Sequence, residues 1–172
     1  ESGWAEKMIG VEGNQLTLGL IPCASVPIDA VGTDDTVELS TARLSFAAQV
    51  KGLLKRQGGA ALLIDYGYHE RPLGDTIQAL YKGRPCDILD HPGLADLTAH
   101  VDFRSLTGFF APLPCQIATQ KAWIQAMGGN ERVTSLANAN PAQAEPIKQS
   151  YNRLIDPQQM GELFKVLEVR SA

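Results

Sequence analysis

An apolar run at residues 60–64, with the sequence AALLI, constrains the fold of this chain more than any other segment. It follows the glycine pair at 58–59 and shows no polar alternation. Such a strand is typical of a parallel or mixed α/β sheet that helices cover on both faces. Because ligands of these sheets bind beyond the carboxyl ends of strands, the next four residues, Asp65, Tyr66, Gly67 and Tyr68, are the first candidates for a functional site.

The segments before this strand predict a hairpin, a loop and a helix. Apolar runs at residues 4–11 and 15–21 flank a turn-forming Glu-Gly-Asn sequence and predict a β-hairpin. Residues 22–36 carry Pro, Gly and Asp without a hydrophobic period, so we expect a flexible surface loop. An amphipathic helix should run from Ser40 to the glycine pair. Its apolar stripe is predicted to consist of Phe46, Val50, Leu53 and Leu54.

The segment that follows the strand is predicted to be mostly loop. Residues 68–100 are dense in Pro, Gly, Asp and His, with one short helix predicted at 75–81. Asp102 should then cap a helix that ends near Phe110.

Further helices and a final strand are predicted towards the end of the chain. Thr119, Asn130 and Asn140 are predicted helix caps, and Pro146 should prevent an uninterrupted helix through the last of these segments. Alternating apolar and charged residues at 164–169 predict a strand with one solvent-exposed face, which we expect at the antiparallel edge of the sheet.

Composition narrows the class of protein. Fifteen Lys and Arg against nineteen Asp and Glu give a formal net charge of -4 without a basic cluster, which argues against nucleic acid as a partner. Cys23, Cys86 and Cys115 form no CxxC pair and have no His at zinc-ligand spacing, so we expect reduced thiols and no metal site. The apolar stretches are much shorter than the roughly 20 residues of a membrane-spanning helix, so no membrane partner is expected.

Three segments together resemble one protein family. They are GAALLIDYG at residues 59–67, PGLADLTAHVDF at 92–103 and MGELFKVL at 160–167, with shorter matches in VELS at 37–40 and DTIQAL at 75–80. In order and approximate spacing they are similar to MidA-type S-adenosylmethionine-dependent methyltransferases. This resemblance spans residues 4–170. It implies an α/β fold of the class I, Rossmann-like methyltransferase type, with a mixed sheet, flanking helices and an N-terminal β-hairpin.

The resemblance also implies a function. The family includes a mitochondrial enzyme that methylates an arginine of a respiratory complex I subunit during assembly. The complete protein is therefore expected to use S-adenosylmethionine and to methylate a protein substrate, in the bacterial cytoplasm or in the mitochondrial matrix.

One departure from the family pattern concerns the cofactor. Class I methyltransferases bind it at a Gly-rich turn after an early strand, followed by an acidic residue. The glycine pairs of this chain, at 58–59 and 128–129, precede a strand or follow a predicted helix. We therefore expect residues 1–172 to be the C-terminal part of one catalytic domain, inactive alone because the cofactor-binding half is absent. The face left uncovered should cause association, such as a homodimer.

The candidate site residues fall into two groups. Asp65 and His100 are the predicted catalytic residues. The predicted substrate-binding residues are Glu38, Tyr66, Gly67, Asp96, Thr98 and Asp102. Carboxylates suit a guanidinium acceptor because paired charge-assisted hydrogen bonds match its planar fork. Some of these residues also have a structural interpretation: Asp65 as a polar strand end, Glu38 beside a helix dipole, and Asp102 as a helix cap, which we favour.

Two other classes of function compete with this hypothesis. The alternative is a cofactor-free protein-binding or assembly module on the same fold, which an upstream coding sequence without a Gly-rich turn would favour. A hydrolase that uses His100 with Cys115 or Asp65 is a third hypothesis, which no GxSxG motif supports.

Overall fold

The computed structural model describes residues 3–23, 36–70 and 74–171. The chain divides into two units, one formed by residues 1–38 and 73–99 and the other by residues 39–72 and 100–172. The loop predicted at 22–36 falls, apart from its ends, outside the described residues.

The described residues form nine strands and five α-helices. The strands are β1 (Ala5–Glu12), β2 (Gln15–Pro22), β3 (Ala60–Tyr68), β4 (Gln78–Tyr81), β5 (Arg84–Cys86), β6 (Asp96–Thr98), β7 (Val101–Asp102), β8 (Cys115–Thr119) and β9 (Phe164–Arg170). The helices are α1 (Thr41–Gln57), α2 (Phe103–Phe110), α3 (Gln120–Ala126), α4 (Gly129–Ala139) and α5 (Ala144–Ile155), with a 3-10 turn at Pro141–Gln143. No helix in the three described ranges is both long and apolar enough to cross a membrane.

The smaller unit contains the predicted hairpin and a sheet that was not predicted. β1 and β2 pair antiparallel over their whole length around Gly13, whose φ of 62° suits the turn. The helix predicted at 75–81 is wrong, because β4 lies there, between β5 and β6 in a three-stranded antiparallel sheet. Lys82 and Gly83 both have positive φ, 51° and 74°, so they form the two-residue turn that joins β4 to β5.

The larger unit contains a four-stranded mixed sheet in the order β7-β3-β9-β8. β3 pairs parallel with β7 and antiparallel with β9, and β8 also pairs antiparallel with β9. The strand predicted at 164–169 is confirmed, but its predicted place at the edge is wrong. β9 is an interior strand, and its apolar residues Val166, Leu167 and Val169 are buried.

One face of this sheet carries the core. Leu167 and Val169 of β9 pack there with Phe103, Leu106 and Phe110 of α2 and with Ala47 and Leu54 of α1. The helix predicted from Ser40 to the glycine pair is confirmed, with Ser40 Oγ accepting from the Arg43 amide at 3.1 Å. Its predicted apolar stripe is partly wrong, since Phe46 and Leu53 are 53% and 46% exposed. The buried residues of this helix are instead Ala47 and Leu54, which belong to the same core cluster as the residues of α2.

The other face of β3 is less covered than its sequence predicted. Ala61 and Leu63 pack against the core, whereas Leu62 and Ile64 are 46% and 47% exposed. Helix α3 reaches that face of the sheet at β9, where the Trp123 indole donates to Glu168 Oε1 at 2.7 Å. Among the described residues, therefore, helices cover β3 closely on one face alone.

Of the three helix caps predicted near the end of the chain, Thr119 is confirmed, whereas Asn130 and Asn140 are wrong. Thr119 caps α3, accepting from the Ala122 amide at 3.2 Å. Asn130 lies inside α4, which begins after Gly128 because a φ of 83° suits glycine at the cap. Asn140 donates back to the Leu136 carbonyl at 3.2 Å and does not cap the turn that follows. Pro146 sits in the first turn of α5, where no backbone donor is needed, so that helix continues unbroken to its end.

Candidate functional site

The carboxyl end of β3 brings residues from two sequence segments together. The parallel register aligns Gly67 with Val101, which places His100 beside the end of β3. The rings of Tyr66 and His100 lie 5.6 Å apart between centroids, at an interplanar angle of 69°. Two predicted site residues that are separated by more than thirty positions in sequence therefore make direct contact.

Phe164 completes this aromatic group. It is the cross-strand partner of Tyr66 in the β3–β9 pair, and their ring centroids are 5.6 Å apart at 80°. Both rings meet Tyr66 edge to face, the arrangement that aromatic pairs prefer. Phe164 was not predicted as a site residue, because the strand that contains it was predicted without its pairing partner. The family segment MGELFKVL contains Phe164 and was the available signal.

Asp65 lies at the same sheet edge but belongs to the opposite face of β3. Alternation along β3 puts Asp65 on the face of Leu63 and puts Tyr66 on the face of Ile64. Its carboxylate is exposed, and Oδ1 accepts from the Tyr66 amide at 2.8 Å. The two predicted catalytic residues, Asp65 and His100, are thus neighbours of Tyr66 on different sides of the strand.

Lys165 is the cross-strand partner of Asp65 and was not predicted. Burial lowers the pKa of Lys165, and a smaller attraction from Glu162 opposes this. Its ammonium donates to the Glu162 carbonyl. A half-buried cation therefore stands beside the exposed carboxylate at the end of the sheet.

Gly67 has a structural reason to be glycine. A Cβ atom at this position would lie 2.1 Å from the Val101 carbonyl oxygen, so a side chain would separate β3 from β7. The Gly67 amide donates to the Leu163 carbonyl at 3.1 Å. Because Gly67 has no side chain, β3 and β7 lie close enough together for His100 to contact Tyr66.

Asp102 serves as the cap of α2, the interpretation that we favoured. Its Oδ1 accepts from the Ser105 amide at 3.0 Å, and Oδ2 accepts from the Ser105 hydroxyl. The helix ends at Phe110, as predicted.

The remaining predicted site residues lie in the smaller unit. Glu38 accepts from the Thr76 amide at 2.7 Å and from its hydroxyl at 2.6 Å, so its carboxylate holds the segment that leads into β4. Asp96 and Thr98 are the two ends of β6, opposite Leu80 and Gln78 of β4. Asp96 is exposed and Thr98 is half-buried.

The arrangement of the acidic, histidine and cysteine side chains bears on metal-ligand and thiol chemistry. Within residues 3–23, 36–70 and 74–171, no group of three or more His, Cys, Asp and Glu side chains is placed to hold a metal ion. Cys23, Cys86 and Cys115 are all unpaired thiols. Burial raises the pKa of Cys115, and Lys51 opposes this more weakly, so the thiol is not activated as a nucleophile.

The mixed sheet and its flanking helices, together with the solved structures described below, define the class as an α/β protein of the Rossmann-like methyltransferase type. Residues 3–116 match the model of a family described as "Putative S-adenosyl-L-methionine-dependent methyltransferase". The chain belongs to this family, which confirms the resemblance seen in its sequence.

Curated relatives include mitochondrial protein arginine methyltransferases named NDUFAF7. The Bos taurus protein is 32% identical over 178 residues, which cover 96% of this chain and 40% of the bovine protein. The Homo sapiens protein is 31% identical over 176 residues, covering 94% of this chain and 39% of the human protein. This chain thus spans about two-fifths of the length of these relatives.

Solved structures share the fold. A crystal structure of a Burkholderia thailandensis protein bound to S-adenosyl-homocysteine matches with a TM-score of 0.80 and 25% identity, covering 98% of this chain and 47% of that chain. A native crystal structure from the same organism matches with the same score and identity and is covered over 49% of its length. The predicted fold class is therefore confirmed.

Proposed function

We propose that this chain is part of an S-adenosylmethionine-dependent methyltransferase that acts on an arginine of a protein substrate, and that the carboxyl end of β3 forms the acceptor side of its active site. The contact between Tyr66 and His100 carries the proposal, because it joins two family segments where α/β sheets bind ligands. Family membership supports methyl transfer, and the names of the NDUFAF7 relatives support a protein arginine as acceptor. The proposed compartment is the bacterial cytoplasm or the mitochondrial matrix.

The chemistry assigns roles to three residues. Transfer to a guanidinium nitrogen forms an N–C bond, breaks the S–C bond of the sulfonium and releases one proton from the nitrogen. The cofactor supplies the methyl group and the sulfur leaving group. Tyr66 would form a wall that orients the guanidinium plane, and His100, in contact with Tyr66, would accept the proton. The exposed Asp65 carboxylate, on the other face of β3 at the same sheet edge, would hold the substrate beside the acceptor by charge-assisted hydrogen bonds.

The described residues do not fit the cofactor itself. None of the described strands leads through a Gly-rich turn into a helix, and the space beside Gly67 is occupied by the Val101 backbone. We therefore propose that an upstream segment supplies the cofactor contacts, and that the 172-residue chain is inactive alone. The relatives, of which this chain spans about two-fifths, have room for such a segment.

Calorimetry with S-adenosylmethionine tests this proposal. The 172-residue chain should show no saturable binding at micromolar concentrations, whereas a version extended by the upstream coding sequence should bind. In the extended version, Asp65→Ala should reduce transfer of labelled methyl groups to protein by at least about tenfold. Asp90→Ala is the matched control, since Asp90 is an exposed carboxylate in the smaller unit and should leave transfer unchanged.

Two results would contradict the proposal. Micromolar binding by the 172-residue chain would mean that a complete cofactor site lies within it. An extended version that binds no cofactor would contradict the methyltransferase function and favour the cofactor-free assembly module.

A further inference from the structure

The family segment MGELFKVL at residues 160–167 supplies no residue to the proposed chemistry, although it borders the candidate site. Its glycine, Gly161, is buried in a tight turn that follows α5. A Cβ atom on Gly161 would lie 2.2 Å from the Ile155 carbonyl oxygen, and the Gly161 carbonyl accepts from the Lys121 amide at 3.0 Å. The start of this segment is therefore fixed against the end of α5 and the start of α3.

Backbone hydrogen bonds connect this fixed turn to the end of β3. The Phe164 amide donates to the Met160 carbonyl at 3.1 Å, and the Gly67 amide donates to the Leu163 carbonyl at 3.1 Å. Gly67 is also a residue at which β3 pairs with β7, next to His100. The main chain at 163–164 thus has a set position relative to both strands that carry the candidate site.

The side chain of Phe164 contacts the candidate site at Tyr66. The two rings meet edge to face with centroids 5.6 Å apart, and Tyr66 meets His100 edge to face at the same centroid distance. All three side chains are half-buried. A tyrosine on a strand can adopt several rotamers, and two perpendicular ring contacts favour one of them. Phe164 has no titratable or hydrogen-bonding side-chain group, so an effect of its ring on the reaction must pass through the position of Tyr66.

We propose that Phe164 is a positioning residue of the acceptor site: it fixes the ring of Tyr66, and Tyr66 in turn fixes the imidazole of His100. This inference rests on the proposed function, in which Tyr66 orients the guanidinium plane and His100 accepts the proton. Displacement of a reacting group by about 1 Å can lower a rate by about a hundredfold. The family segment at 160–167 therefore contributes geometry to the site, and not a reacting group.

Kinetics of the version extended by the upstream coding sequence test the positioning role. Phe164→Leu should lower kcat for methyl transfer to protein by at least about tenfold, and should change KM for the acceptor by less than about threefold because Phe164 does not bind it. Phe164→Tyr keeps the ring and should hold kcat within about twofold of the parent. Phe109→Leu is the matched control, since it removes another half-buried phenylalanine of the same unit and should leave kcat unchanged.

A double-mutant cycle separates positioning from stabilisation of the sheet. In a Tyr66→Leu background, Phe164→Leu should change kcat by less than about twofold, because Phe164 acts through Tyr66. The Hε1 NMR signal of His100, one of three histidines, is assigned with His100→Gln. This signal should move in Phe164→Leu, whereas adding Phe164→Leu to Tyr66→Leu should not move it further. The signal requires no turnover, so it tests the positioning role even in a protein that transfers no methyl group.

Three results would overturn the inference. An unmoved His100 signal, or an unchanged kcat of an active protein, in Phe164→Leu would mean that Phe164 does not position the imidazole. Additive losses of kcat from the substitutions at Phe164 and Tyr66 would mean that Phe164 only stabilises the sheet. Equal losses in Phe164→Tyr and Phe164→Leu would mean that the aromatic ring is not the feature that matters. Phe164→Met, which fills a similar volume without a ring, replaces Phe164→Leu if that variant does not fold.

Discussion

At the residue scale, Gly67 shows how one missing side chain positions the candidate site. We predict that Gly67→Ala lowers the free energy of unfolding by about 1–3 kcal/mol, because its Cβ would lie 2.1 Å from the Val101 carbonyl oxygen. Urea denaturation measures this. Gly108→Ala in α2 is the control, since its Cβ would meet nothing within 4 Å and should be neutral or stabilise the helix by up to about 1 kcal/mol. Unchanged stability of Gly67→Ala would contradict the close approach.

Glu168 gives a second prediction at this scale. The Trp123 indole and then Arg170 hold the pKa of this carboxyl below its ordinary value of 4.5. A depressed folded pKa stabilises the protein above the ordinary value, and this stabilisation is lost as the pH falls through the folded pKa. In a Trp4→Phe background, Trp123 fluorescence should therefore stay constant from neutral pH down to 4.5 and change below it. Glu168→Gln should abolish the change, and a transition above pH 4.5 would contradict the assignment.

At the scale of the element, β3 predicts a contrast between adjacent leucines. Leu63 packs against the core, while Leu62 is 46% exposed on the other face. Leu63→Ala should therefore lower the free energy of unfolding by about 2 kcal/mol or more, and Leu62→Ala by less than about 1 kcal/mol. Chemical denaturation of the two variants decides this. Similar losses would mean that a helix covers both faces, as the apolar sequence of β3 first indicated.

Strong local patterns predicted the elements well. The hairpin, α1, β3, α2 and the existence of β9 followed from glycine positions, apolar periodicity and the Asp102 cap. The strand β4 was mistaken for a helix because the Lys82–Gly83 turn was not recognised, although a positive φ at both residues is what a two-residue hairpin needs. The interior place of β9 depends on pairing with strands far away in sequence, which no local pattern contains.

The candidate site was predictable only in part, because its contacts also depend on pairing between strands that are far apart in sequence. The strand β3 followed from the apolar run, although it continues past the predicted end at Asp65 to Tyr68, and the family segments supplied His100. The contacts of Tyr66 with His100 and Phe164 required the registers of two strand pairs. Lys165 was missed because its alternating neighbours suggested a solvent-exposed face, whereas the interior place of β9 half-buries it.

At the scale of the whole molecule, the uncovered side of β3 predicts non-specific association. Leu62 and Ile64 are about half exposed on one face of β3. On that side of the sheet, within the described chain, β3 pairs with β7 only at Gly67 and Tyr68. The double variant Leu62→Ser with Ile64→Ser should lower the fluorescence of a hydrophobic dye by about twofold and reduce light scattering at high concentration. Leu94→Ser, which removes a leucine of the smaller unit that is even more exposed, at 71%, should have little effect. Equal dye fluorescence and light scattering of the two variants would mean that the chain does not associate through this face of the sheet.

The interior place of β9 has a consequence for synthesis on the ribosome. Among the described strands, β3 and β8 are joined in the sheet only through β9, which is made after both of them. Until residues 164–170 leave the exit tunnel, Leu63 and Ile117 lack Leu167, the residue that both of them flank. The larger unit thus cannot complete its core while these residues are still being translated. A nascent chain arrested before Phe164 should be digested readily by a protease that spares the released protein.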